Sequence, residues 1–178
     1  MKNKDPKPLN LALSAISLAL CLLLPFLTGQ IKQIGNMLCP MHIPVLLCGF
    51  LCGPGYAAVV GAVAPLLRFA LFGMPVLYPT GAAMCFELAA YGAISGWLYR
   101  LLPRNRRSIY AALLGAMLGG RIVWGAAQAI LLGFGGGAFT LSAFMTAAFV
   151  NAIPGIVLHI ALIPVIVMAL GRAGIGKR

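Results

Sequence analysis

Acidic residues are almost absent from this chain. Asp5 and Glu87 are the two acids among 178 residues. Charged residues of both signs make up 8% of the sequence, against about 25% in a soluble domain. So little charge cannot cover a water-exposed surface, which excludes a soluble globular protein. The five cysteines form no Cys-x-x-Cys pair. Cys48 and Cys52 share a helical face, and small apolar packing residues is the reading preferred over zinc or redox use. No Ser-His-Asp set, His-Glu-x-x-His motif or ATP-binding motif occurs. One carboxylate inside the apolar stretches gives little acid–base machinery, so catalysis is not expected. The glycine cluster at 133–137 follows no strand and makes a poor phosphate loop. The ten-residue alternation of a membrane β-barrel is also missing.

What remains is apolar and basic. Hydrophobic residues are 62% of the chain, mean hydropathy is +1.01 and the formal net charge is +11. Ten of the thirteen basic residues fall in three hydrophilic segments. These hold Lys2, Lys4 and Lys7; then Arg100, Arg104, Arg106 and Arg107; then Arg172, Lys177 and Arg178. Lys and Arg beside membrane spans mark the cytoplasmic face, so the charge is an orientation signal. An even number of crossings must separate each pair of segments.

The expectation is an all-α integral membrane protein, one domain over 1–178. It is a bundle of six transmembrane helices at about 10–27, 38–52, 56–72, 80–102, 108–134 and 141–170, with both termini cytoplasmic. The first run ends at Thr28-Gly29-Gln30 without a small-x-small cleavage site and is read as a retained helix. The second run is short against the roughly 17–25 residues of a span. It is expected to cross because otherwise the 100–107 loop would face outside. A re-entrant second segment is the alternative. Small residues recur four apart at Ala15/Ala19, Ala57/Gly61, Gly92/Gly96 and Gly115/Gly119. Such faces allow close helix approach, within the bundle or, for the first pair, against another protein.

Intramembrane charge is expensive and marks cavities or partners. Arg68 lies near the outer end of the third helix, Glu87 two turns inside the fourth and Arg121 mid-way along the fifth. Their sum is +1, which points to water or an anionic ligand beside the unpaired guanidinium. A structural ion pair with a snorkelling Arg68 is the rival reading. Gln128 and Trp124 lie outward of Arg121 on nearly the same face. Asn151 sits in the outer half of the last helix, Asn36 in the first outer loop and Tyr78 in the second. Amides and an indole suit a small polar organic ligand. Interhelical hydrogen bonding, packing and the interfacial aromatic belt serve equally for these residues. His42 and His159 are expected to hydrogen-bond, with no metal and no cofactor.

The ordered motifs resemble a known family. They are Ala15-Ile16-Ser17-Leu18-Ala19, residues 37–47 (MLCPMHIPVLL), Gly53-Pro54, Leu77-Tyr78-Pro79, Glu87-Leu88-Ala89-Ala90-Tyr91-Gly92, Gly120-Arg121-Ile122-Val123-Trp124-Gly125 and Phe149-Val150-Asn151-Ala152-Ile153-Pro154-Gly155. Together they resemble the substrate-binding S components of energy-coupling factor vitamin transporters, over nearly the full chain. The pantothenate-carrying members look most similar. The resemblance implies a high-affinity binding subunit for a vitamin or related nutrient in a prokaryotic cell membrane. It also implies a membrane coupling protein and two ABC-type ATPases as partners. Ala15 and Ala19 would then be the docking face. An autonomous carrier or channel for a small organic anion is the alternative, and a membrane enzyme or assembly factor is a third class.

Overall fold

The computed structural model describes residues 6–27, 37–103, 105–134 and 140–174, and all the secondary structure among them is helical. Helix α1 is Pro6–Leu27, α2 His42–Cys52, α3 Pro54–Phe72, α4 Ala82–Leu101, α5 Arg106–Phe134, α6 Leu141–Met145 and α7 Ile153–Arg172. Four of these are long and apolar enough to cross a membrane: α1, α3, α5 and α7.

Local chemistry explains the boundaries. Gly53 takes φ +93° between α2 and α3, and Pro54 starts α3 where its missing N–H costs nothing. Gly73 ends α3 in the left-handed conformation and donates its N–H to Phe69 O. Leu102 is extended ahead of Pro103, which stops α4. Asn105 caps α5, accepting the Ser108 N–H at 2.8 Å.

Two elements differ from the expected runs. The run at 141–170 is divided: α6 continues into a π-type turn, Thr146–Val150, and α7 begins at Ile153. Pro154 is the physical reason. Its ring clashes with the carbonyl four residues back, and that residue is Val150. The second run starts as a regular helix only at His42. Its 11 residues rise about 16 Å, roughly half of a ~30 Å hydrocarbon core. Nine of them are buried, so α2 is an internal strut walled in by other helices.

The glycine faces set the packing. A Cβ on Gly61 would come within 2.3 Å of Leu88 O, and one on Gly92 within 2.5 Å of Ala57 O. The pairs Ala57/Gly61 and Gly92/Gly96 therefore face each other across the antiparallel α3–α4 contact. Gly115, Gly119 and Gly120 of α5 pack on Leu98, Ile94 and Tyr91 of α4, also antiparallel. Ala15 and Ala19 are exposed, while Asn10, Ser14, Ser17 and Cys21 on the opposite face of α1 are buried. Cys21 Sγ meets Met41 O and Ser14 Oγ meets Cys48 Sγ, so α2 runs antiparallel to α1. The Phe26 and Phe72 rings meet 5.0 Å apart, which brings the C-terminal ends of α1 and α3 together. Gly155 at the start of α7 packs on the carbonyls of Met37 and Leu38.

These contacts make α1, α2, α3, α4, α5 and α7 alternate in direction. Lys7, Arg100, Arg106, Arg107 and Arg172 consequently fall at one end of the bundle. The start of α2, the turn Leu77–Gly81, and the junctions between α5 and α7 fall at the other.

Candidate functional site

Near that second end, α2, α4, α5 and α7 bring a polar cluster into an apolar core. Glu87 is its centre, 2% exposed on the inner face of α4. Arg121 Nη1 of α5 donates to Glu87 Oε1 at 2.9 Å, and its side chain is 12% exposed. Arg121 Nη2 reaches the Cys39 sulfur at 3.6 Å, just ahead of α2. The Arg–Glu bond crosses where Gly120 lies flat against the Tyr91 ring, because no side chain there holds α5 away from α4.

Two histidines complete the cluster. His42 opens α2, and its Nε2 lies 3.4 Å from Glu87 Oε1 but out of line for a hydrogen bond. Its ring meets Tyr91 edge-on at 4.9 Å and stacks on His159 of α7 at 6.1 Å. His159 hydrogen-bonds to the Cys39 backbone. The remaining buried nitrogens, His42 Nδ1 and Nε2 and His159 Nε2, have no hydrogen-bond partner among the described residues. Buried polar atoms are rarely left so, since each unmet group costs about 1–3 kcal/mol. The expectation of a hydrogen bond for both histidines thus holds for His159 and not for His42. The sequence pairs Arg121 with Glu87 but does not place the two histidines beside them, because the four residues lie on four separate helices. A histidine inside a membrane helix was the available signal.

Arg68 is placed elsewhere. It is buried against α1, donating to Leu22 O at 3.0 Å, with its guanidinium over the Phe26 and Phe72 rings at 5.7 and 5.6 Å. It therefore ties the C-terminal ends of α1 and α3 together and is not in the Glu87 cluster. The +1 sum is not local: beside Arg121 and Glu87 the formal charge is zero with neutral histidines.

The other candidates surround the cluster unevenly. Gln128 is buried two turns beyond Arg121 along α5, with Oε1 lacking a hydrogen-bond partner among the described residues. The Trp124 ring stacks on Phe144 of α6 at 6.2 Å, and Phe144 meets Phe149 edge-on at 6.1 Å. Tyr78 is half-exposed, and its hydroxyl donates to Leu131 O, bracing the turn before α4 on α5. Asn151 is exposed in the break before α7 and makes none of the cluster's contacts. Asn36 lies outside the described residues. No three His, Cys, Asp or Glu side chains among the described residues converge to hold a metal ion.

The family model described as "ECF transporter, substrate-specific component" matches residues 9–167. No curated protein and no solved structure matches the chain.

Proposed function

Because the chain belongs to the substrate-specific components of ECF transporters, we propose that the Arg121–Glu87 cluster is where this membrane subunit holds its nutrient. Members of that family are multi-pass transport subunits. They work with a membrane coupling protein and ATPases and bind small-molecule substrates. The finer reading is a water-soluble vitamin carried across a prokaryotic plasma membrane, with a pantothenate-like acid as the cargo.

The observation that carries this reading is the buried Arg121–Glu87 pair set among unmet polar atoms. A guanidinium has five N–H donors, and the one directed at Cys39 meets only a weak sulfur acceptor. A carboxylate would displace the thiol there. The start of α2 adds partial positive charge, since Met41 gives it no side-chain cap. Together these supply the attraction for an anion that Arg68 does not. Gln128 and Trp124 line the outward path, and Asn151 and Tyr78 belong to the rim. The test is retention of a vitamin by the detergent-purified chain offered a defined vitamin mixture, read by mass spectrometry. One-to-one retention without chemical change is expected. Product formation, or flux through liposomes holding this chain alone, would favour the enzyme or carrier readings.

The proposed orientation puts both termini and residues 100–107 in the cytoplasm, supported by the basic residues gathered at one end of the alternating helices. A membrane-impermeant thiol reagent applied to intact cells should label Lys32→Cys and miss Asn105→Cys in a cysteine-free background. Labelling of Asn105→Cys from outside overturns the orientation.

A further inference from the structure

We infer that the nutrient held here carries hydroxyl or N–H groups that donate to the stacked His42 and His159 rings. The inference rests on the binding reading above and deepens it by naming the chemistry of the ligand's buried edge.

Tautomers carry the argument. His159 bonds to the Cys39 backbone, and its Nε2 has no partner, so the bonding nitrogen is Nδ1. The Cys39 carbonyl accepts that bond, so Nδ1 carries the proton and Nε2 is left as a bare acceptor. His42 adds a second acceptor. Neither of its ring nitrogens has a hydrogen-bond partner among the described residues, and a neutral imidazole carries a proton on only one of them, so the other is a bare acceptor. Both rings are buried, at 4% and 3% exposure, and their centroids are 6.1 Å apart, near enough for one small molecule to reach both. Tyr91 closes the edge of His42, and Arg121 stands across Glu87 with its own donors. The cluster is therefore asymmetric. Donors lie on the Arg121 side and acceptors on the histidine side. A matching ligand has an anionic or carbonyl oxygen at one end and a hydroxyl or N–H at the other. A purely acceptor-bearing acid would leave both imidazoles unmet.

The experiment starts from whichever compound the full purified chain retains from the vitamin mixture. Deoxy or N-methyl derivatives, each lacking one donor, are titrated against wild type, His42→Phe and His159→Phe. Phenylalanine keeps the ring and its stacking. Deleting the buried donor should weaken wild-type binding roughly tenfold, the size of an unmet buried acceptor. It should change affinity less than about twofold in the phenylalanine variant of the histidine it met. A retained compound without donors overturns the inference and leaves the binding reading intact. So do derivatives that bind the wild type as tightly as the parent, the result expected if water alone satisfies the two rings. That comparison needs no variant to fold. Retention of no vitamin at all would instead remove the binding reading itself.

Discussion

Arg121→Ala is expected to lower affinity for the retained nutrient by well over tenfold. The substitution removes the group proposed to face the ligand and also strands Glu87, which is 2% exposed. Truncating one partner of a buried charge pair typically costs about 2–5 kcal/mol. Part of that loss will appear as lower stability, because the orphaned carboxylate must be accommodated with or without ligand. Isothermal titration on protein that remains folded separates the two. Arg121→Lys should recover affinity only in part. An ammonium can pair with Glu87 but cannot present a planar fork to Glu87 and a ligand together. Arg68→Ala provides the contrast: its partners are Leu22, Phe26 and Phe72, so it should loosen α1 against α3 with a much smaller effect on affinity. Near-wild-type affinity in folded Arg121→Ala would reduce the pair to a structural bridge.

Ala15→Leu combined with Ala19→Leu is expected to abolish co-purification with the coupling protein, and cellular uptake with it, while ligand affinity stays close to wild type. Both alanines are exposed on α1, on the face opposite Ser14, Ser17 and Cys21. Two methyl-sized side chains one turn apart let another helix approach closely, and leucines would hold it off. The proposed binding cluster lies on α2, α4, α5 and α7, so this change is remote from it. Loss of ligand binding in the double variant would show that the face serves the bundle itself.

The residue pattern alone was enough to read a helical membrane protein, the grouping of its basic ends and the helix faces that pack closely. Those features are local. Hydropathy decides which stretches leave water, and a four-residue repeat of small side chains sits on one helix face whatever the partner. Pro154 also carried its message in the sequence, since a proline breaks the turn ending four residues before it, and the expected run at 141–170 ignored that rule. The site was legible only by halves. Glu87 and Arg121 stood out because buried charge is rare, and their pairing followed from opposite sign. Arg68 looked like the third member for the same reason, yet sign and depth do not say which neighbour a side chain meets. Tertiary structure decided that Arg68 caps a carbonyl of α1 between two phenylalanines, and that His42 and His159 stack beside Glu87. Hydrogen bonds and stacking act over a few ångströms, so partners on different helices are set by how the helices pack. Here that packing rests on bare glycines at 61, 92, 96 and 120, where backbone meets backbone or ring.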